Sequence, residues 1–220
     1  MIHVGADEAG KGPVLGPMVA AAVRADSDAL PDGIDDSKRV KPARRTEIAE
    51  TLRRHDDITV GVGIVPTEQI DDPETDMNSL TVAAQVEAVA SVAREGDTVV
   101  VDAGDVSEAR FGRRVREGVS ERADIRIEVV SEHGADESHA IVGAASIVAK
   151  VERDRQVENI SEEYADYGPV GSGYPSDPKT REFLKRYVAE TGDVPACARR
   201  SWSTCADLLA AQEQSSLGEF

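Results

Sequence analysis

The run TVVV, inside DTVVVDAG at residues 97–104, is the most apolar strand pattern in the chain, and it ends on an acid, Asp102. A short β-branched run bounded by charge and glycine reads as a buried strand. A helical pattern precedes it, MNSLTVAAQVEAVASVARE (77–95), with Gly96 suited to the C-cap. VSEARFGRRVREGVS (106–120) is helical and DIRIEVVSE (124–132) is a strand. A long helix follows, SHAIVGAASIVAKVERDRQVENI (138–160), whose Ala144, Ala145, Ser146 and Ala149 imply close packing. Upstream lie three strand patterns, MIHVGADE (1–8), PVLGPMVAAAVRA (13–25) and DITVGVGIV (57–65), with a helix from Pro42, PARRTEIAETLRRH (42–55), before the third. The second strand is expected antiparallel to the first across a tight Gly-Pro turn. Residues 26–36, the stretch around DDPETD and residues 161–177 read as loops, and helices are expected near 178–190 and 202–213. Three strands, then alternating helix and strand, then helices, predict a mixed sheet with helices on its faces, an α/β fold.

Hydrophobic residues make up 40% of the chain and aromatics only 4%, so the core must be built from Val, Ala, Ile and Leu. The formal charge is -17, with 6 Lys and 19 Arg against 42 acids. Lysine-poor, acid-rich surfaces fit a cytosol of molar salt, where the Debye length is only about 3 Å and surface repulsion hardly reaches a ligand. The charge is therefore a halophilic signal and not an exclusion of anionic partners. There is no long apolar run and no signal-peptide pattern, so a cytoplasmic protein without membrane partners is expected. Cys197 and Cys205 allow one disulfide but no secreted framework.

Acids stand where surface charge explains them poorly. Asp7 and Glu8 end the first strand, Asp102 ends TVVV, and Asp136 precedes the small-residue helix in HGADESH. A carboxylate after a buried strand is costly unless it is paired, hydrogen-bonded or metal-bound. Converging carboxylates would repel, and their natural neutraliser is an oxygen-seeking divalent cation such as Mg²⁺ or Mn²⁺. In so acidic a chain each one reads equally well as a plain cap or surface residue, and spacing alone does not show convergence. The four histidines have no zinc spacing with the cysteines.

Lys11, Lys38, Lys41, Lys150 and Lys179 fall in Gly/Pro/Ser-rich or helix-packing stretches, positions where a lysine-poor chain has kept its few cations. Segments 36–54 and 178–200 are basic islands, with seven and six Lys/Arg respectively against three acids each. They suit a polyanion.

DEAGKGPVLGPMV, DSKRV, VVVDA, HGADESHAIVGAASIVAKVERD and GSGYPSDPKT occur in that order. With these motifs, spread over nearly the whole chain, the sequence resembles the type 2 ribonucleases H (ribonuclease HII), most of all the archaeal ones. The resemblance implies a ribonuclease H-like fold: a five-stranded mixed sheet flanked by helices, with a C-terminal helical extension. Residues 1–190 would form the catalytic domain, 191–213 the extension packed on it, and 214–220 a flexible tail. It implies a monomeric endonuclease that hydrolyses RNA in RNA–DNA hybrids and cuts 5′ of single ribonucleotides in duplex DNA, leaving 3′-hydroxyl and 5′-phosphate ends. The family's metal-binding, catalytic acids fall on Asp7, Glu8, Asp102 and Asp136. Two ions, Mg²⁺ or Mn²⁺, are expected, with Asp7 and Asp102 shared and Glu8 and Asp136 each completing one site.

Substrate contacts carry over to Gly10, Lys11 and Gly12, to Ser37 and Lys38 in DSK, to Asn78, and to Tyr174 as the residue that reads the ribose 2′-hydroxyl. Many relatives have Arg at the Lys11 position, so a planar phosphate fork is replaced by a point charge. His139 stands where tyrosine is frequent and is expected to pack. Asp154 is expected to be a structural ion-pair acid. Gln214, Leu217 and Phe220 form Q-x-x-L-x-x-F, similar to a sliding-clamp-binding peptide that lacks its second aromatic. Three rival readings are weighed. A non-catalytic hybrid-binding module is disfavoured by the four acids. A phosphatase or integrase-like nuclease of the same fold is disfavoured by GSGYPSDP. A type 3 enzyme is disfavoured because the catalytic motif starts at residue 5.

Overall fold

β1 (Ile2–Ala9) is the central strand of a five-stranded sheet of order β3-β2-β1-β4-β5. It pairs antiparallel with β2 (Met18–Asp26) and parallel with β4 (Thr98–Asp102), which pairs parallel with β5 (Glu128–Glu132). β3 is Thr59–Val65. The predicted mixed sheet is present. The computed structural model describes residues 2–34 and 40–217, with side chains of the last helix through residue 214. Ser37, Lys38 and Phe220, and the side chain of Leu217, lie outside that description.

The helices are α1 (Pro42–Arg54), α2 (Thr67–Ile70), α3 (Met77–Ala90), α4 (Glu108–Ala123), α5 (Ala135–Ser138), α6 (Ala140–Glu163), α7 (Pro178–Thr191) and α8 (Ser203–Leu217). Local chemistry sets many of their ends. Asp76 caps α3 by accepting from the Asn78 and Ser79 amides, and Ser107 caps α4 by accepting from Arg110. Pro42 and Pro178 open α1 and α7, where a missing N–H costs nothing. Several boundaries depart from the sequence reading. α3 stops at Ala90, short of Gly96, because the chain turns at Ser91 while Val92 stays buried. β2 starts at Met18 and not at residue 13. Its connection to β1 is the longer segment 10–17, because Val14 and Leu15 belong to another core. The short helix α2 sits in a stretch read as loop, and α5 forms just ahead of the long helix, overlapping its expected start only at Ser138. α8 continues through Leu217, so the first half of the expected tail is helical.

The chain divides into two compact units, residues 1–9, 19–64 and 76–152 in one, and residues 10–18, 65–75 and 153–220 in the other. This division does not coincide with the 190/191 boundary read from the sequence. The first unit holds the sheet. Its core joins Ala21, Val23 and Val100 of the strands to Ile48 and Leu52 of α1 and to Val142, Ala145, Val148 and Ala149 of α6. The small side chains of α6 do what their pattern implies. A Cβ at Gly5 would overlap the carbonyl of Ile141, so the first turn of α6 lies directly on the backbone of β1. The second unit packs Leu15, Val170, Phe183, Leu184, Ala198 and Cys205, with the rings of Tyr164, Tyr167 and Trp202 against them. Cys197 and Cys205 are both free thiols, and burial raises them to about 12 and about 11. Among the described residues no helix is long and apolar enough to cross a membrane.

Gly5→Ala forces a methyl group into the α6 backbone. Overpacking of this kind costs about 1–3 kcal/mol, or roughly 2–12 °C of melting temperature in a chain of this size. Thermal unfolding followed by circular dichroism in molar KCl measures the drop, and an unchanged midpoint would refute the close approach.

Candidate active site

Parallel register sets Val4 beside Val99 and Ala6 beside Val101. One residue further, the same register brings Asp7 to Asp102. Alternation along β1 sends Asp7 and Glu8 to opposite faces of the sheet. Their partners agree: the Ser146 hydroxyl of α6 hydrogen-bonds the Asp7 carboxylate, while Gln85 of α3 donates to Glu8.

Asp7 is only 5% exposed. Burial, then Glu8, and more weakly Asp102, push its carboxyl up to about 8, against the opposing pull of the Ser146 hydroxyl and the Glu8 amide. The Glu8 N–H donates to Asp7 Oδ1 at 2.7 Å. Lys150 Nζ donates to Ser146 Oγ at 2.8 Å, so a lysine and a hydroxyl lie in series behind Asp7. Ser146 was legible only as a small packing residue, and nothing in its spacing pointed to Asp7.

Asp102 Oδ1 accepts from the Ala135 amide at 3.0 Å, which ties the first residue of α5 to the end of β4. Asp136, the next residue, is buried at 5% exposure. Gly134 precedes it in the left-handed region at φ 67° and makes the turn into α5. Asp7, Glu8 and Asp102 are thus brought together, and Asp136 is placed one residue from a group bonded to Asp102. The donor set is all carboxylate oxygen with mutual repulsion already expressed at Asp7, which suits a hard divalent cation. Among the described residues no group of three His, Cys, Asp or Glu is arranged as a ready metal cluster. The fit therefore rests on donor chemistry.

The expected substrate residues fall in both units. Asn78 is exposed in the first turn of α3, with its amide donating to Asp76. Gly10, Lys11, Gly12 and Tyr174 all belong to the second unit. There the segment 10–16 wraps on Arg199, a fully buried guanidinium that donates to the carbonyls of Gly10, Lys11 and Gly16. Burial, then Arg153, lowers Arg199 to about 10, so it remains a cation at neutral pH. Its face stacks on Trp202 at 5.0 Å. Gly12 faces Tyr174: a Cβ there would stand 3.9 Å from the ring.

Tyr174, 41% exposed, lies under the guanidinium of Arg153, 5.2 Å from the ring centroid. Arg153 Nη2 also donates to the Ser172 carbonyl at 2.6 Å. The rest of GSGYPSDPKT is self-locking. Asp177 accepts from the Ser172 and Lys179 amides, which hold its carboxyl below the usual range. Thr180 Oγ1 accepts from Gly173 N and donates to Val170 O.

Other readings change. Much of the 178–200 basic island is engaged internally: Arg199 is buried, Arg186 pairs with Glu190, and Arg200 with Asp193. In the other island Arg44 pairs with Glu47, Arg54 with Glu50, and Arg53 with Glu152. His139 Nε2 lies 2.8 Å from Glu132 Oε2, a polar partner in place of plain packing. Asp154 is an ion-pair acid, 3.5 Å from Arg153.

Compared with solved structures, the chain is similar to the ribonuclease H2 from Pyrococcus horikoshii OT3, at TM-score 0.84 and 35% identity, covering 97% of this chain and 100% of that one. It is also similar to the ribonuclease HII of the PCNA:RNase HII complex from Archaeoglobus fulgidus, at TM-score 0.78 and 39% identity, covering 92% and 95%. The architecture is thus that of the ribonucleases H, endonucleases of the hydrolase class that act on RNA–DNA hybrids. The family model described as Ribonuclease HII matches residues 4–205, and a ribonuclease HII of the halophile Haloarcula marismortui is 57% identical over 100% of both chains. The chain belongs to the ribonuclease HII family.

A carboxyl whose folded value of about 8 lies above its ordinary value of 3.8 leaves the folded protein holding the extra proton between those values. Stability of the metal-free protein therefore falls as pH rises from about 4 to about 8 and this contribution levels off above that. Asp7→Asn removes the penalty. At pH 8 in chelator and molar KCl it is expected to melt above the native protein by about 2–4 °C for each kcal/mol relieved, with the gap closing toward pH 4. Equal melting at both pH values would disprove the repulsion.

Proposed function

We propose that this enzyme cleaves 5′ of a single ribonucleotide embedded in duplex DNA, as well as the RNA of longer hybrids, with divalent cations held by Asp7, Glu8, Asp102 and Asp136. The observation that carries the reading is the Asp7 carboxyl, buried and lifted by its acidic neighbours at the paired ends of β1 and β4. Such a group calls for a cation that lets it ionise. Two bound Mg²⁺ or Mn²⁺ ions would supply an activated water and charge stabilisation at the departing 3′-oxygen.

The chain's own residues do the remaining work. The Ser146 hydroxyl and the Glu8 amide orient Asp7 as an acceptor. The Ala135 amide fixes one oxygen of Asp102. Arg199 holds the Gly10 and Lys11 carbonyls, which shapes the loop that would meet the nucleic-acid backbone. Arg153 supports one side of Tyr174, whose ring and hydroxyl would meet the ribose and its 2′-hydroxyl. Ser37, Lys38 and Asn78 are proposed as further backbone contacts.

The Archaeoglobus relative forms a complex with PCNA. We extend that to this chain through Gln214, Leu217 and Phe220. Gln214 and Leu217 are one helical turn apart in α8, the spacing of an anchor pair in a groove. The protein is proposed to act as a cytoplasmic monomer tethered in this way.

Cleavage mapping on a duplex with one ribonucleotide, in molar KCl with Mg²⁺ or Mn²⁺, tests the reading. Asp7→Asn is expected to lose at least about 100-fold in rate, the scale on which disturbance of a metal's surroundings acts. Near-native turnover would overturn the assignment. Tyr174→Ala is expected to reduce the preference for the single ribonucleotide by about 10-fold or more, as loss of one stacking contact does, with melting little changed. Deleting residues 213–220 should abolish retention on immobilised sliding clamp in high salt while leaving cleavage of free duplex intact. Undiminished retention rejects the tail as the anchor.

A further inference from the structure

Gln85 is fully buried on α3, among small or apolar buried neighbours of the same helix, Thr81, Ala84, Ala88 and Val89, with the Thr81 hydroxyl already donating to the Met77 carbonyl. Its Nε2 donates to Glu8 Oε2 at 2.7 Å and to the Asp102 carbonyl at 3.1 Å. Both partners are acceptors, so the amide can face them only with its nitrogen. The carbonyl end then points away, and Gln85 Oε1 is buried with no hydrogen-bond partner among the described residues. An orphaned acceptor in a core is destabilising, and an apolar residue of the same length would avoid it. The amide is thus held in an unfavourable place by what its other end does.

That end joins the two strands that carry the acids. It restrains the Glu8 carboxylate on one side of the sheet and the backbone of Asp102 on β4, while the Asp102 side chain is fixed separately by Ala135. The donor is neutral. An arginine or lysine at this position would also orient Glu8, but its charge would compete with a cation for the carboxylate. An amide orients without cancelling charge.

We propose that Gln85 is a positioning residue for the divalent-cation site, setting the Glu8 carboxylate relative to the end of β4 at a cost in folding stability. This rests on the proposed role of the acids, so the test separates the two. Mn²⁺ binding is measured by calorimetry on full-length protein without nucleic acid, in molar KCl, for native, Gln85→Met, Gln85→Leu and Asp7→Asn chains. Melting in chelator is recorded in parallel.

Gln85→Met is expected to melt at or above the native temperature and to bind Mn²⁺ about 10-fold or more weakly, as loss of a residue behind a metal ligand does. The Mn²⁺ concentration for half-maximal cleavage should rise by the same factor, with KM for the hybrid unchanged. Gln85→Leu should behave alike and serves if the methionine variant packs badly. Native Mn²⁺ affinity in a folded Gln85 variant, with Asp7→Asn impaired, overturns the proposal and leaves the acid site standing. Native Mn²⁺ affinity in Asp7→Asn overturns the acid site itself. A lowered melting temperature with unchanged affinity assigns Gln85 to structure alone.

Discussion

The first turn of α6 can touch the backbone of β1 only because position 5 has no side chain. Much of the site follows from that approach. With α6 against the strand, Ser146 comes within hydrogen-bonding reach of Asp7, and Lys150 reaches Ser146 from the next turn. A helix held off by even one methyl group would leave Asp7 without its hydroxyl partner. The alanines and serine of α6 are therefore a distance constraint as well as a core, and the low aromatic content of this unit is part of the same requirement.

The opposite face of the sheet is handled differently. There α3 presents an amide to Glu8, and the same helix lies close against β3, where a Cβ at Gly63 would collide with the Ala84 carbonyl. The two faces thus meet neighbouring acids with neutral donors, Ser146 on one side and Gln85 on the other. Each of these two contacts orients a carboxylate without adding a charge of its own, beside a raised Asp7 and an amide oxygen with no hydrogen-bond partner among the described residues. The second unit shows the contrasting arrangement: a buried cation, Arg199, saturated by backbone carbonyls and a ring, which makes a loop rigid and spends its charge inside.

The strands and the acids at their ends were legible because they depend on local pattern: apolar alternation, a glycine or proline boundary, and a carboxylate where the run stops. Asp7, Glu8 and Asp102 stand out in this way as acids near strand ends, while bringing them together depends on the register of β1 and β4. The sheet's mixed character was legible from element order. What could not be read depends on partners distant in the chain. Gln85 looks like one polar residue in a helix until Glu8 is seen above it. Arg199 looks like part of a basic island until the carbonyls of residues 10–16 are placed around it. Val14 and Leu15 extend a strand pattern in sequence, yet they serve the core built with Phe183 and Leu184. The end of α3 was missed for a related reason, since Val92 keeps the apolar period but is buried from a turn.

The aromatic residues are unevenly shared between the units. Phe111 is the only one in the first, while Trp202 and every tyrosine belong to the second, where Tyr164, Tyr167, Phe183 and Tyr187 form a ring cluster. Intrinsic fluorescence of this protein is consequently a one-sided reporter. It registers the surroundings of Arg199, through Trp202, and of the Tyr174 loop. The sheet that carries the acids is silent to it and must be followed by a backbone signal.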